Sequence, residues 1–415
     1  MISQSQYYLL EALKASLYNG EFNYPSNINW KEVVDEANAQ TVMGLISEVI
    51  PVNNATGDQI KAMYLRIAYE QKKVVECLEN AQIPCVILKG CAAAFNYPKP
   101  YLRTMGDIDV LVPRAKFIEA LKCLESNGYA YDQSKWHIEN VSKKTREWEF
   151  TKDGILVEIH QRFSSPGVDV DDILEEAINR RVYYNLNGYS FPLLPSPENG
   201  LVLLGHINQH LKNNVLGLRQ IIDWEMYVHS EANNTLFSCQ FIPLAEKTGL
   251  LTLAAYVTRL CNIHLGLPEE VQFGVDVDDS LIDELLDVVM TDGNFGRKAY
   301  ANKSDADVKI IRASYGIKRY GFFSYFTRAG LDTSSFCKKH SSIKILAFFY
   351  GLFRQLGLGI KALMRNKRFG KDMGEGQKIH DLHIKRNDLY QKLGVRKGNT
   401  SVLDAFDGHE ENHLL

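Results

Sequence analysis

No Cys-x-x-Cys pair occurs in this chain of 415 residues, and its seven cysteines, Cys77, Cys85, Cys91, Cys123, Cys239, Cys261 and Cys337, are odd in number. Several sit in apolar runs, where a free cysteine behaves as a small hydrophobe. The pattern argues against structural zinc and against a disulfide framework, and for a reducing, cytoplasmic setting. The first residues, Met1 to Gln6, lack a basic stretch followed by an apolar run, so no secretory signal is expected. The longest clean apolar run of the C-terminal region, Ile345 to Phe353, falls far short of the ~20 residues that a bilayer span needs. There is no internal repeat. Nor is there much excess charge: 47 Lys and Arg against 50 Asp and Glu leave a net of −3, which argues against dedicated binding of double-stranded DNA. With 45% hydrophobic and 23% charged residues, the chain reads as globular, and its length predicts two or three domains.

What is present is a pair of acids at the mouth of a β-branched run. In Met105-Gly106-Asp107-Ile108-Asp109-Val110-Leu111-Val112, side chains alternate faces, so Asp107 and Asp109 share one side and Ile108, Val110 and Val112 the other. Two carboxylates on one face repel each other, and a divalent cation is the usual reason for keeping them together. Magnesium held by two carboxylates and by nucleotide phosphates is the arrangement used for phosphoryl and nucleotidyl transfer.

The neighbouring segments extend this constellation. Cys85 to Leu88 reads as a short buried strand, broken by Lys89-Gly90, after which small residues open a helix. Glycine lets backbone approach a phosphate closely, and Lys89 and Arg103 bring positive charge to the same region. Ile155 to His160 is a second alternating run with Glu158 and His160 on its polar face. If that strand lies beside Ile108–Val112, Glu158 completes a carboxylate cluster as metal ligand or general base. His160 reads as a satisfied core histidine. Each of these residues also has a bland reading: Asp-x-Asp as solvated turn residues, Lys89 as a surface lysine, Glu158 as a strand-edge charge.

The run Leu88-Lys89-Gly90, Arg103 with Gly106 to Val112, and Val157-Glu158-Ile159-His160 resembles the uncharacterised nucleotidyltransferase family of the polymerase-β-like superfamily. His206 to His210, followed by Arg219 and Asp223, is also similar to that family, and the resemblance spans roughly residues 30 to 265. It implies an α+β fold: a small mixed sheet flanked by helices, with a metal-binding aspartate pair and a nucleoside triphosphate site. Most of the wider superfamily has Gly-Ser or Gly-Gly where this chain has Lys89-Gly90, so a serine contact to the triphosphate is missing.

Helical spacing and punctuation divide the chain into residues 1–80 as an N-terminal helical region, 81–192 as the sheet domain, 198–335 as a helical domain and 336–415 as a basic amphipathic helix with a polar tail. Within these, Asn29 caps a helix through Ile46, Asp58 caps one through Leu78, Tyr129 to Tyr131 and Arg146 to Phe150 read as strands, and Pro192, Pro195 and Pro197 mark a linker. His206 and His210 share a helical face but lack the third ligand and the glutamate of a zinc site, so they line the cleft or pack. Arg219 and Asp223, one turn apart, read as a pair on that helical region.

Residues 338–397 hold 15 Lys or Arg against 4 Asp or Glu, a net of +11 that leaves the remainder near −14. The basic amphipathic stretch from Ile343 to Arg365 reads first as a helix packed on the protein's own core, and second as a surface for a partner protein or for peripheral membrane attachment.

The expected activity is magnesium- or manganese-dependent transfer of a nucleoside monophosphate from a nucleoside triphosphate to an unidentified acceptor. Asp107, Asp109 and Glu158 serve as metal and catalytic residues, and Lys89, Gly90 and Arg103 grip the triphosphate. The competing reading is a catalytically weak nucleotide-binding scaffold with a recruiting C-terminal region.

Overall fold

The computed structural model describes residues 2–294 except 52–54, 134–136, 143–144, 165–166 and 187, together with residues 349, 353 and 384–396. The stretch Ile343 to Arg365 therefore lies outside the described residues apart from Phe349 and Phe353.

Six strands form one mixed sheet: β1 (Val86–Leu88), β2 (Asp107–Leu111), β3 (Glu147–Lys152), β4 (Ile155–His160), β5 (Val182–Leu186) and β6 (Tyr189–Leu193), in the order β3-β4-β2-β1-β6-β5. Strand β2 runs antiparallel to β1 and parallel to β4, while β1 meets β6 in parallel at one position, Ile87 opposite Leu193. Two expectations are corrected here. Tyr129 to Tyr131 contributes only a bridge, Ala130 opposite Thr151. Pro192 lies inside β6 rather than in a linker, and Pro197 lies in the first turn of the following helix. A proline's missing N–H is tolerated in β6 because one side of that strand is paired at a single position.

Each face of the sheet has its own helices. The helices α1 (Gln4–Leu17), α2 (Trp30–Ala39), α3 (Met43–Ile46) and α4 (Ala55–Asn80) precede β1; α5 (Gly90–Ala94) follows it, and α6 (Phe117–Ser126) follows β2. The run expected to continue from Asn29 to Ile46 is broken at Thr41, whose φ is +59°, and resumes as α3. Buried Tyr64, Ile67, Ala68, Gln71, Val74, Val75 and Leu78 on α4 recur at helical spacing, as do Phe117, Ala120, Leu121 and Leu124 on α6. Both stripes pack in one core with Ile108, Val110, Trp148, Phe150, Val157 and Ile159. These are the residues that alternate with the acids, so this core lies behind the acid-bearing face.

The other face meets a larger helical core. It joins Leu88 and Leu111 to α1–α3 and to α7 (Asp171–Ile178), α8 (Ser196–Lys212), α9 (Leu218–Glu231), α10 (Ile242–Lys247), α11 (Leu251–Leu260) and α12 (Ser280–Asp292). Residues 384–392 are helical and return to this core through Leu389, Tyr390, Leu393 and Val395. There Arg386 pairs with buried Asp292 at 2.8 Å, and the backbone of Arg396 exchanges hydrogen bonds with the Asn208 amide. No helix among the described residues is long and apolar enough to cross a membrane.

Candidate active site

Pairing of β2 with β4 sets Asp109 directly opposite Glu158, with Leu111 opposite His160 and Asp107 opposite Leu156. The same register sets Glu149 of β3 opposite Glu158 and Glu147 opposite His160. Period-two alternation therefore gathers Asp107, Asp109, Glu158 and His160 on the face turned toward α8 and α9. Asp109, Glu158 and His160 are buried.

Lys89 closes over this cluster from the end of β1. Its backbone stands at φ +47°, ψ −120°, a left-handed conformation rare for a side-chain-bearing residue, and such strain typically costs on the order of 1–3 kcal/mol. From that corner its ammonium reaches Asp109 Oδ1 at 2.8 Å and lies 5.8 Å from the centre of the Phe163 ring. His160 Nε2 meets the same Asp109 oxygen at 2.9 Å and stands 3.4 Å from Glu158 Oε2, while its Nδ1 is 3.4 Å from Glu147 Oε2. A Cβ on Gly90 would lie 3.8 Å from the Asp107 carbonyl oxygen, an ordinary contact, so crowding within the protein does not demand glycine there.

The charges follow from this geometry. Burial and the Asp109 and Asp107 charges push the Glu158 carboxyl up to about 7, against the pull of His160 and Lys89. Asp107 is raised by burial and by Asp109. Burial would raise Asp109 too, but Lys89 and His160 hold it well below the usual carboxylate range. Despite burial, hydrogen bonds to Asp109 and Glu158 lift His160 to about 9. The cluster thus carries two cations of its own among three acids.

Arg103 is placed differently from the expectation. Its Nε and Nη2 bind the two oxygens of Asp223 at 2.7 Å each, both side chains are buried, and Tyr97 donates its hydroxyl to the same carboxylate at 2.7 Å. Arg103 therefore ties the loop before β2 to α9 instead of offering its fork to a phosphate. The hydrogen bonds of Asp223 go to Arg103 and Tyr97, while the expected Arg219–Asp223 pairing persists as an attraction between their charges. Arg219 lies near Asp107, whose carboxyl its charge stabilises, and burial and Arg103 lower its own affinity for a proton. His206 also faces this region: burial, His210, Lys89 and Arg219 all disfavour its charged form. The sequence reading gave Arg219 and His160 no role at the site, although the spacing of His160 from Glu158 carries the signal for the latter.

Asp109, Glu158 and His160 each offer a ligand atom, and these atoms lie within 4.8 Å of one another, the one cluster of its kind among the described residues. A donor set of two carboxylates and an imidazole, with Asp107 beside it, fits a divalent cation, and a bound cation would relieve the repulsion that raises Asp107 and Glu158.

Over residues 26–266 the chain matches the family described as an uncharacterised nucleotidyltransferase. It belongs to that family. Among solved structures it is similar to the crystal structure of an antigenic nucleotidyltransferase-like protein from Paracoccidioides brasiliensis, with 16% identity, covering 48% of this chain and 92% of that one at a TM-score of 0.25. No curated protein matches. The family span takes in every strand of the sheet, the acid cluster and both helices that face it.

Proposed function

We propose that the protein is a magnesium-dependent nucleotidyltransferase that moves a nucleoside monophosphate from a nucleoside triphosphate onto an acceptor. The observation that carries this reading is the pairing of Asp109 with Glu158 across parallel strands, with Asp107 two residues away on the same face, in a chain of this family. Asp107, Asp109 and Glu158 would hold the metal, with His160 as a further donor. When bound, it would neutralise phosphate charge and favour in-line attack at the α-phosphate. Lys89 would transfer its ammonium from Asp109 to the triphosphate, and Arg219 supports the same charge from α9. In its alternative role, with the metal on Asp107 and Asp109 alone, Glu158 would take the proton from an acceptor hydroxyl. The acceptor would enter between the sheet and α8–α9.

A second reading has its own support. Asp109 Oδ1 is already engaged by Lys89 and His160, so the acid at the centre of the cluster is paired without a metal, as suits a nucleotide-binding scaffold with little turnover. Mass spectrometry after incubation with magnesium, each nucleoside triphosphate and candidate acceptors separates the two. A gain of one nucleoside monophosphate on an acceptor supports transfer, and its loss in Asp107→Asn/Asp109→Asn ties transfer to the acids. Triphosphate binding without any adduct favours the scaffold. Undiminished magnesium-dependent binding in the double variant would remove the acids from both readings.

A further inference from the structure

Behind the sheet, on the side away from the acids, two cysteines lie against each other. Cys77 is in the last turn of α4 and Cys123 in the last turn of α6, and their Sγ atoms are 3.0 Å apart. Cys77 Sγ lies 3.8 Å from the Cys123 carbonyl oxygen, and Cys123 Sγ lies 3.4 Å from that of Cys77. Each thiol therefore overlies the other residue's backbone. Both are free and half-buried, whereas Cys85, Cys91 and Cys261 are buried. A disulfide bond is about 2.04 Å long, so closure asks for an approach of roughly 1 Å. The two helices are held at this spacing by the core they share, through Val74, Leu78, Leu121 and Leu124.

We propose that Cys77 and Cys123 are a site of reversible covalent modification, closing to an intramolecular disulfide by exchange with a low-molecular-weight disulfide of the oxidised-glutathione class. One protein thiolate attacks the small disulfide, whose S–S bond breaks to release one small thiol and leave a mixed disulfide. The second protein thiolate then attacks the protein-side sulfur and expels the other small thiol. Two protein thiols are oxidised, one small disulfide is reduced, and the two protons end on the released thiols. Burial and the neighbouring Cys123 push the Cys77 thiol up to about 12, which makes the exchange slow near neutral pH.

The chain between the two cysteines carries β1, the Lys89–Gly90 corner, α5 and β2 with Asp107 and Asp109. The cross-link would fix both ends of that segment from behind while leaving the acid face untouched. It constrains the unfolded chain, so the oxidised protein should resist denaturant better.

The test uses the full chain with excess oxidised glutathione at pH 8, read by peptide mapping with and without dithiothreitol. The expected result is a joined peptide pair holding Cys77 and Cys123, lighter by two hydrogens than the reduced pair and separated by dithiothreitol. The urea midpoint should rise on oxidation, return on reduction, and stay fixed in Cys77→Ser and in Cys123→Ser. Glutathione adducts on both cysteines of one molecule, or a bond from Cys77 to another cysteine, would overturn the proposal. So would thiols that stay reduced under conditions in which the urea-unfolded chain cross-links them.

Discussion

Replacing Arg103 with Met removes a guanidinium that makes two 2.7 Å hydrogen bonds to Asp223 inside the protein. The side chains of the pair are 5% and 4% exposed, so water cannot take over the lost bonds. Asp223 would keep the Tyr97 hydroxyl, at 2.7 Å, as its hydrogen-bond donor, with the Arg219 charge nearby. Removing one partner of a buried pair costs about 3–5 kcal/mol, because the remaining charge stays desolvated. That is about two to three and a half decades in the folding constant, at ~1.4 kcal/mol per decade. Against a total stability of ~5–15 kcal/mol, the variant should unfold at visibly lower urea. Arg103→Met/Asp223→Leu removes both charges and should recover most of the loss, since paired burial by itself contributes little. Equilibrium urea denaturation of the two variants and the parent measures both quantities. If Arg103→Met leaves the urea midpoint in place and weakens only triphosphate binding, the arginine is a phosphate ligand and the structural reading is wrong.

The other expected outcomes concern the cluster and its supports. Lys89→Met removes the cation bound to Asp109, so manganese binding followed by electron paramagnetic resonance should tighten by about tenfold or more, ~1.4 kcal/mol, while triphosphate affinity falls; unchanged manganese affinity would show that the ammonium does not compete with the metal. Asp171 accepts hydrogen bonds from the Phe163 and Ser164 amides and from Arg162, which hold its carboxyl below the usual value despite burial. Its folded pKa is depressed, so its contribution is complete above the unfolded value near 3.8 and is lost as pH falls below it; Asp171→Asn should cost ~1–3 kcal/mol at neutral pH and flatten the acid limb of stability measured by urea titration. Deletion of residues 384–415 strips Leu389, Tyr390 and Leu393 from the helical core and leaves Asp292, already pushed up to about 6 by burial, without Arg386; thermal unfolding should begin at a lower temperature, and an unchanged melting curve would mean that this packing contributes nothing.

The acid-bearing unit was legible because its signal is local. Alternation at Asp107–Val112 and Ile155–His160 fixes which side chains share a face, whatever the rest of the chain does, and both runs are strands with the expected faces buried. The helical stripes of α4 and α6 are readable for the same reason. Pro192 misled because the rule against proline in a sheet assumes two fully paired sides, and β6 has one.

Arg103 shows where such reading stops. Its neighbours in sequence, two residues from Met105 and four from Asp107, make it look like part of the acid cluster, and its charge and fork suit a phosphate. What decides its role is Asp223, 120 residues away on α9, and no local pattern carries that distance. The same contact explains how the site holds its shape. Arg103 fixes α9 against the loop that leads into β2, so Arg219, one turn before Asp223, is carried up to Asp107 on the same helix. A residue expected to touch the nucleotide instead positions the arginine whose charge acts on Asp107. The pairing of strands puts the acids together, but the buried ion pair sets the cation from the helical layer above them, and only the folded chain brings the two layers into register.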